Sequence, residues 1–455
     1  MKIVDQLARF LRNVLPSPLS IAFLLTLVVF IAAYINLPEE TESPLQQVFV
    51  MWESGLWSSG GLVFMVQMML MLVLGHVLAR TRLAHAAINY LVRYTANRNL
   101  MVLLVCAFTL LVSWFNWGLG LIFGAVLCRK VGEYAESHQV AINYPLIGAA
   151  GYSGLMIWHG GLSGSSLIKV AESGHLASLV SQPKLASLLP EAIYFSDTVF
   201  STLNIVLCVL VLLFAPLVLS RLANTHLSVP VGLLQVEDNE EHKKEEIFLA
   251  ERLDSASWFG ISIGGVMIVW ALFQLIFLEG IAAITPNLIN LLLFGLSLML
   301  HKNIVNFSKA LSVAIADAAG ILIQFPLYFG IMGLMKGSGL ITDIANFFVS
   351  LSTVTTFPIW TFFSAGLVNL FVPSGGGQWM VQGPIILETC LKLNIPLNKG
   401  ILALAYGDQI TNMLQPFWAL PLLGITKLKA QQILPYTLIL LVLGTLIYGL
   451  GVWLY

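Results

Sequence analysis

The stretch NLFVPSGGGQW, residues 369–379, places a proline, a serine and three consecutive glycines between the apolar runs TFPIWTFFSAGLV and MVQGPIILETCL. Glycine and proline both oppose a continuous helix. In hydrocarbon, non-helical backbone survives only where protein or a water-filled cavity surrounds it. If lipid surrounds the apolar runs, this stretch is expected to turn and to line a site. The alternative is a packing kink against a neighbouring helix.

The composition indicates that lipid is the solvent for most of the chain. The protein has 455 residues, of which 58% are hydrophobic and 10% are charged, and its mean hydropathy is +0.87. Soluble domains contain about 25% charged residues. The net charge of −1 gives no indication of nucleic-acid binding, and the four distant cysteines match no disulfide or metal pattern. These features predict an all-α polytopic membrane protein, and no cofactor is predicted.

The predicted membrane spans are apolar runs of about 20 residues. They are residues 17–36, 61–79, 144–170, 199–220, 256–278, 284–300, 308–335, 399–424 and 433–454. Two further segments, 101–128 and 356–391, are too long for one helix and too short for two full crossings. Each has glycine or polar residues at its middle, so each is expected to enter the membrane and turn back as a re-entrant hairpin.

The distribution of Lys and Arg predicts that the N-terminus lies in the cytoplasm. The acidic loop 37–60 contains no Lys or Arg and is expected outside. Arg129 and Lys130 follow the first hairpin, and they stay inside only if that hairpin turns back. The second hairpin then opens from the outside, provided that residues 338–354 lie along the membrane interface. If residues 338–354 span the membrane instead, the orientation of the second half inverts.

The two hairpins are followed by similar segments. FNWGLG (115–120) precedes the interrupted segment 142–166, and FVPSGGG (371–377) precedes the interrupted segment 397–420. Two such units in opposite orientation are typical of inverted-repeat secondary transporters, whose interrupted helices build substrate and ion sites near the bilayer midplane.

Candidate substrate-binding residues lie at these breaks. A helix that starts after a glycine-rich turn presents free N–H groups and a positive dipole end, which suit a carboxylate. The residues expected to contact substrate are Asn116, Gly118, Ser153, His159, Ser163, Ser165, Ser374, Gly375, Gly376, Gly377, Gln378 and Asn412. For the histidine and the serines, a purely structural role is the alternative. The nearby tryptophans, which either shape a pocket or anchor the protein at the membrane interface, are Trp117, Trp158, Trp379 and Trp418.

Asp408 is the candidate residue for ion or proton coupling. It is the only acidic residue between Glu388 and the C-terminus, and it lies in the middle of a predicted span. A charge at that depth costs about 2.5–3.5 kcal/mol to insert. Gln409 and Thr411 lie beside it, so these three residues are expected to hold a proton or a cation such as Na⁺. The alternative is a carboxylate satisfied by a hydroxyl or by backbone N–H groups.

The chain resembles the short-chain fatty acid transporters, a family of acetoacetate and butyrate carriers, nearly from end to end. The blocks that carry the resemblance are SWFNWGLGLIFGAV (113–126), GYSGLMIWHGGLSGSS (151–166), NLFVPSGGGQWMVQGP (369–384) and AYGDQITNMLQPFWALPLLG (405–424). This family is similar to a larger group of ion transporters that includes the sodium-coupled dicarboxylate carriers. That relation implies a homodimer in the bacterial inner membrane that works by elevator-type alternating access.

The same relation implies a scaffold domain and a transport domain. The scaffold would comprise residues 1–99 and 256–355, the transport domain residues 100–222 and 356–455 with one hairpin in each half, and the cytoplasmic linker residues 223–255. The hairpin-tip Ser-Asn-Thr motif of the dicarboxylate carriers is absent, since the tips here read FNWG and PSGGG. This departure argues against the same sodium ligands and against a substrate with two carboxylates.

The expected substrate is a short-chain monocarboxylate, cotransported with H⁺ or Na⁺. No Lys or Arg lies mid-span in the predicted transport region, and a dicarboxylate would need more positive charge than two helix N-termini supply. The alternatives are a carrier for another organic anion, such as a dicarboxylate, and a passive channel for short-chain acids. An intramembrane enzyme is disfavoured, because GLSGSS (161–166) differs from G-x-S-x-G and no H-E-x-x-H motif occurs.

Overall fold

A computed structural model describes residues 16–81, 97–180, 183–233, 249–278 and 285–454. Within these ranges the secondary structure is helical, apart from one isolated bridge between Ile142 and Ser228. Seven segments of the described chain are long and apolar enough to cross a membrane, namely Pro18–Asn36, Pro44–Leu78, Arg98–Phe115, Thr202–Ser220, Ser257–Leu278, Ala319–Gly337 and Ala430–Leu454. The prediction of an all-α polytopic membrane protein is confirmed.

The helices of the first half are α1 (Pro18–Asn36), α2 (Pro44–Leu56), α3 (Ser59–Ala79), α4 (Arg98–Phe115), α5 (Trp117–Ser137), α6 (Tyr144–Tyr152), α7 (Ser165–Ala171), α8 (His175–Leu179), α9 (Pro183–Ala186) and α10 (Thr202–Ser220). Two 3₁₀ turns, Ser153–Met156 and Trp158–Gly160, lie between α6 and α7.

The helices of the second half are α11 (Leu249–Ser255), α12 (Ser257–Phe273), α13 (Pro286–His301), α14 (Ile304–Ala314), α15 (Ala319–Gly337), α16 (Leu340–Ser350), α17 (Phe357–Phe371), α18 (Gly375–Leu393), α19 (Leu397–Thr411), α20 (Pro416–Thr426) and α21 (Ala430–Leu454). A π-helical turn, Gln274–Leu278, continues α12, and a 3₁₀ turn, Ile315–Ala318, joins α14 to α15.

Two parts of the predicted span pattern are wrong. The predicted loop 37–60 contains α2, and its Gly55 packs so closely on α15 that a Cβ atom there would lie 2.4 Å from the Phe329 carbonyl oxygen. This close backbone packing explains a helix where acidic residues predicted a loop. The predicted span 308–335 is divided between α14, a 3₁₀ turn and α15.

The first predicted hairpin forms a turn at Asn116, between α4 and α5. Asn116 has extended backbone angles, and its side-chain oxygen accepts a hydrogen bond from the Leu119 amide at 3.0 Å, which caps α5. A Cβ atom on Gly120 would lie 2.5 Å from the Cα atom of Ser113. Residues seven apart in one continuous helix are separated by about 10 Å. The chain therefore turns back at Asn116.

The second predicted hairpin turns at Val372–Ser374, between α17 and α18. Ser374 caps α18 by accepting a hydrogen bond from the Gly377 amide at 3.1 Å. Gln378 donates to the Ala365 carbonyl at 2.9 Å, and this bond ties α18 to α17. The three glycines form the first turn of α18 and do not belong to the non-helical turn itself. Entry of either hairpin into a membrane from one side stays a prediction.

Both segments that follow the hairpins are interrupted helices. Between α6 and α7 the chain runs through two 3₁₀ turns, and between α19 and α20 it leaves the helix at residues 412–415. Helix α16 has 11 residues and is about 16 Å long, too short to cross a hydrocarbon core of about 30 Å alone. Its length supports the interface position expected for residues 338–354.

The C-terminal part of α5 contains Arg129 and Lys130, which the sequence placed in a loop beyond residue 128. They are only 5% and 9% exposed, and each pairs with Glu133 at 2.8 Å. Arg129 also donates to the Ile425 carbonyl at 3.3 Å, near the C-terminal end of α20, and to the Leu233 carbonyl. Buried cations need such partners. Because Arg129 and Lys130 are buried in a helix, they do not serve as evidence that a loop after the first hairpin lies in the cytoplasm.

Candidate substrate and coupling site

The breaks in the two interrupted helices meet at His159 and Asp408. His159 lies in the second 3₁₀ turn between α6 and α7, and Asp408 lies near the end of α19. Their side chains are 0% and 1% exposed, and His159 Nδ1 forms a short hydrogen bond with Asp408 Oδ2. Gln409 holds the backbone of the first break, because its side-chain oxygen accepts hydrogen bonds from the amides of His159 and Gly160 at 2.9 and 3.1 Å.

The hydrogen bonds around His159 define its tautomer. Its Nε2 atom lies 3.1 Å from the Ser166 amide nitrogen and 2.8 Å from Ser166 Oγ. A backbone N–H can only donate, so Nε2 accepts this bond and carries no proton. The ring proton is then on Nδ1, where it donates to the Asp408 carboxylate. His159 is therefore neutral in this arrangement.

Both hairpins reach the first break. On the second hairpin, Gly375 packs so closely on the imidazole that a Cβ atom there would lie 2.7 Å from His159 Cε1. On the first hairpin, the Trp117 amide donates to Ser163 Oγ at 2.9 Å. The Trp114 carbonyl also accepts from the Leu162 amide at 2.9 Å. The two hairpin tips and the break between α6 and α7 therefore form one cluster.

The second hairpin also contacts the break in α19. The Asn369 amide nitrogen of α17 lies 2.8 Å from the Asp408 carbonyl oxygen and 2.9 Å from both Thr411 Oγ1 and Asn412 Oδ1. Three oxygen atoms thus surround one nitrogen atom. The Gln415 side chain donates to the Asn369 carbonyl at 2.6 Å, which fixes the end of α17 against residues 412–415.

A cavity of about 320 Å³ opens between the hairpin tips and helices α3, α15 and α20. Its lining residues are Gly60, Gly61, Phe64, Trp117, Trp158, Ser165, Tyr328, Phe329, Met332, Pro373, Ser374, Gly375, Gly376 and Trp418. No charged side chain is among them. A larger groove of about 670 Å³ lies between α3, α13 and α14, away from both tips, and is lined by nine apolar residues and the amides Gln67, Asn287 and Asn290.

Several residues that line this cavity carry hydrogen-bond donors without partners. The amides of Gly375 and Gly376 are the first two of α18 and have no acceptor within the helix. Trp158 Nε1 and the Tyr328 hydroxyl are buried and make no hydrogen bond among the described residues. Buried donors are costly when unpaired. The cavity therefore combines apolar walls with donors that suit one carboxylate.

The predicted site residues fall into three groups in the structure. Those that line the cavity are Ser165, Ser374, Gly375 and Gly376. Those at the two breaks behind it are His159, Asp408, Gln409, Thr411 and Asn412. Those that hold the hairpins or pack outside the cavity are Asn116, Gly118, Ser153, Ser163, Gly377 and Gln378.

Two of the outer residues contact other elements. A Cβ atom on Gly118 would lie 3.0 Å from Met71 Sδ of α3, and Ser153 donates to the Ala150 carbonyl at 2.8 Å. Of the four tryptophans, Trp379 is fully buried and donates to His175 Nε2 at 3.1 Å, outside the cavity.

The sequence did not indicate that residues of α3 and α15 line the cavity. The lining residues missed there are Gly60, Gly61, Phe64, Tyr328, Phe329 and Met332. The glycine pair at the start of α3 was the one available signal. The aromatic residues of α15 lie in an apolar run that any packed membrane helix could contain.

The long apolar helices, the two hairpins and the buried site at two helix breaks define a polytopic membrane protein of the transporter class. A family model described as short chain fatty acid transporter matches residues 1–455. The chain therefore belongs to the short-chain fatty acid transporter family, which consists of transporters and not of enzymes.

Two curated relatives support this membership. A protein of Escherichia coli (strain K12), described as a "putative short-chain fatty acid transporter", is 35% identical over 99% of this chain and 98% of its own length. A protein of Haemophilus influenzae (strain ATCC 51907 / DSM 11121 / KW20 / Rd) with the same description is 31% identical over 98% and 97%. Among solved structures, the YdaH transporter of Alcanivorax borkumensis is similar with a TM-score of 0.43 and 15% identity, over 96% of this chain and 98% of that one.

Proposed function

We propose that this protein is a secondary active transporter of short-chain monocarboxylates, such as acetoacetate and butyrate, across the bacterial inner membrane. The observation that carries the proposal is the cavity between the two hairpin tips, which is lined by aromatic residues and by the first residues of α18. Membership of the short-chain fatty acid transporter family supports the same substrate class. Transport is coupled to H⁺ or Na⁺ near Asp408.

The substrate carboxylate binds at the N-terminus of α18. The amides of Gly375 and Gly376 and the positive end of the helix attract it. The aliphatic tail packs against Phe64 and Trp418. A volume of about 320 Å³ is at the low end for small-molecule sites, which start at about 300 Å³, and it accommodates a short acid.

The charge of the cavity favours one carboxylate over two. No Lys or Arg lines it, so a second carboxylate would lose its hydration and meet no counter-charge. A dicarboxylate carrier is therefore the weaker candidate.

The proposed transport cycle moves one domain past the other. Residues 100–222 and 356–455 form the transport domain, residues 1–99 and 256–355 form the scaffold, and residues 223–255 link the two halves in the cytoplasm. The cavity has walls from both, since α3 and α15 belong to the scaffold and the hairpin tips belong to the transport domain. A site at such a boundary opens when the two domains slide. The scaffold also forms a homodimer, and the N-terminus is cytoplasmic.

The test is uptake of radiolabelled acetoacetate into proteoliposomes that contain the purified protein. A carrier exchanges internal for external acetoacetate and accumulates it above the external concentration when an ion gradient is imposed. Protein-free liposomes provide the background for diffusion of the uncharged acid. Equilibration without accumulation under either ion gradient would identify a passive channel, and faster uptake of succinate than of acetoacetate would identify a dicarboxylate carrier.

A further inference from the structure

We infer that the coupling ion is a proton that binds to Asp408, and that the Asn369 amide keeps Na⁺ out of the neighbouring oxygen cluster. This inference rests on the proposed function and specifies its coupling ion. The observations behind it are the hydrogen bonds of the His159–Asp408 pair, the position of Asn369 Nδ2 and the contact of Gly375 with the imidazole ring.

Asp408, not His159, is the proton acceptor in this arrangement. Both ring nitrogens of His159 are occupied, because Nδ1–H donates to Asp408 Oδ2 and the Nε2 lone pair accepts from the Ser166 amide. Asp408 Oδ1 has no hydrogen-bond partner among the residues that the structure describes. An incoming proton binds to this oxygen and converts the carboxylate to a carboxylic acid. His159 stays neutral throughout.

The oxygen cluster beside Asp408 has the composition of a cation site. Its members are one carbonyl, one hydroxyl and one amide oxygen, from Asp408, Thr411 and Asn412, and they lie where α19 unwinds. Unwound helix ends of this kind coordinate Na⁺ in other transporters. Here the position between the three oxygens is filled by Asn369 Nδ2, whose two N–H groups supply the partial positive charge that the oxygens require. The Asn369 side chain of the second hairpin thus occupies the position that a bound cation would take.

Protonation of Asp408 is linked to substrate binding through Gly375. The imidazole of His159 separates the Gly375 backbone from the Asp408 carboxylate. A substrate carboxylate on the Gly375 amide therefore lies close to a second negative charge in a water-poor environment, and two like charges there repel strongly. A proton on Asp408 removes that repulsion. Linkage then requires that substrate binding takes up a proton and tightens as the pH falls.

In the described part of the chain, no further charged side chain, whether Lys, Arg or Glu, forms a hydrogen bond or ion pair with His159 or Asp408. The titratable side chains that the surrounding helices bring near are Tyr406 of α19, Tyr448 of α21, Cys208 of α10 and Tyr328 of α15. Each of these is neutral at physiological pH in its ordinary state, so none compensates the charge of Asp408.

The first experiment counts protons on the wild-type protein. Acetoacetate binding is titrated by calorimetry at one pH in two buffers of different ionisation enthalpy, and the difference in heat gives the number of protons taken up. We expect about one proton per acetoacetate at neutral pH, a dissociation constant that rises by up to about tenfold per pH unit, and the same constant in NaCl and in choline chloride. Binding without proton uptake, or binding that requires Na⁺, would overturn the inference.

The second experiment uses Asp408→Asn, with the exposed Asp254→Asn as the matched control. The Asp408 variant is expected to bind acetoacetate independently of pH and to exchange it, and to lose accumulation driven by an inside-alkaline pH gradient. The control variant should bind acetoacetate with the pH dependence of the wild type, exchange it and accumulate it. Undiminished accumulation by Asp408→Asn would refute the role of Asp408. If the Asp408→Asn variant does not fold, the number of protons that the wild type takes up per acetoacetate still tests the inference.

These experiments separate the two proposals. Binding and exchange of acetoacetate without proton uptake contradict only the coupling ion. The absence of both binding and exchange in the wild-type protein would refute the proposed function, and the coupling inference would fail with it.

Discussion

At the scale of single residues, the Ser166 amide determines which member of the buried His159–Asp408 pair can take up a proton. Because this N–H occupies Nε2 of His159, the imidazole acts as a fixed neutral donor to Asp408. A second proton could reach Nε2 only if the first turn of α7 moved away. The same amide therefore makes the protonation of His159 dependent on the conformation of the break between α6 and α7.

The glycines at the start of α18 give the first prediction. A Cβ atom on Gly376 would lie 3.7 Å from Ser165 Cβ, which is ordinary contact, so Gly376→Ala should fold. The new methyl group stands beside the amides that are proposed to bind the substrate carboxylate, and the loss of a hydrogen bond to a charged group costs about 1.5–3 kcal/mol. We expect acetoacetate affinity to fall roughly tenfold or more, measured by calorimetry.

The matched control for this change is Gly265→Ala in α12. A Cβ atom on Gly265 meets nothing within 4 Å, so this variant should bind acetoacetate as the wild type does. Equal affinities for the two variants would exclude the N-terminus of α18 as the carboxylate site.

Asn369 gives a second prediction at this scale. Asn369→Asp replaces the donor at the centre of the oxygen cluster by a carboxylate oxygen, so the cluster then needs a cation. We expect Na⁺ to raise the thermal unfolding temperature of this variant by roughly 2 °C or more, as ligand linkage requires. The wild type should unfold at the same temperature in NaCl and in choline chloride. If the unfolding temperature of Asn369→Asp also does not change with Na⁺, the interpretation of the oxygen cluster is contradicted.

The sequence identified individual residues of the site better than their arrangement. His159 and Asp408 were recognisable because each interrupts an apolar run. Their pairing was not, because 249 residues separate them and only the packing of the two interrupted helices joins them. Nothing in the sequence indicated that Phe64 and Tyr328 line the cavity. An aromatic residue in a membrane helix can contact lipid, protein or a cavity, and its neighbours in the sequence do not distinguish these cases.

At the scale of helices, the hairpins were predictable and their ends were not. Asn116 and the run from Pro373 to Gly377 break apolar segments, and both turns form there. The end of α5 was missed because the helix continues for two turns past the apolar residues, to Ser137. Arg129 and Lys130 are accommodated in the helix because Glu133, one turn later, pairs with both of them.

This ion cluster on α5 gives a third prediction. Burial works to raise the pKa of Glu133, but the charges and hydrogen bonds of Lys130 and Arg129 outweigh it and hold the pKa below its ordinary value of 4.5. Glu133→Gln removes the carboxylate that pairs with both buried cations, Arg129 and Lys130. Breaking a buried pair is costly, and with Glu133 22% exposed we expect a loss of about 1–3 kcal/mol, visible as a lower unfolding temperature.

The pH dependence of stability follows from the direction of that shift. A carboxyl group with a lowered pKa stabilises the folded protein above its unfolded pKa, and this contribution disappears as the pH falls through the lowered pKa. The wild type should lose this increment below about pH 4.5, and Glu133→Gln should lack it at every pH. The control is Glu172→Gln, whose pair with Lys169 is 46–48% exposed and is worth under about 1 kcal/mol. Equal losses for the two variants would contradict the argument.

At the scale of the whole molecule, the cavity lies where the proposed scaffold meets the proposed transport domain. Phe64 of α3 faces Trp117 of α5 and Trp418 of α20, with ring centroids 6.0 Å apart in both pairs. Met71 of α3 packs against Gly118 of α5. Apolar contacts of this kind are not directional, so helices can slide across them at a lower cost than across a hydrogen-bonded boundary.

A cross-link between Met71→Cys and Gly118→Cys tests this sliding. A Cβ atom on Gly118 would lie 3.0 Å from Met71 Sδ, so a short reducible bifunctional thiol reagent should join the two introduced thiols, while the four native cysteines are buried. Elevator motion requires the two domains to separate at this contact. The cross-linked protein should therefore bind acetoacetate but not exchange it, and reduction should restore exchange.

The control pair is Gln67→Cys and Asn287→Cys, whose native side chains are hydrogen-bonded at 2.8 Å between two proposed scaffold helices. Joined by a short bifunctional thiol reagent, that pair should leave exchange intact. Exchange that persists across the Met71–Gly118 cross-link would mean that transport proceeds without movement between these domains.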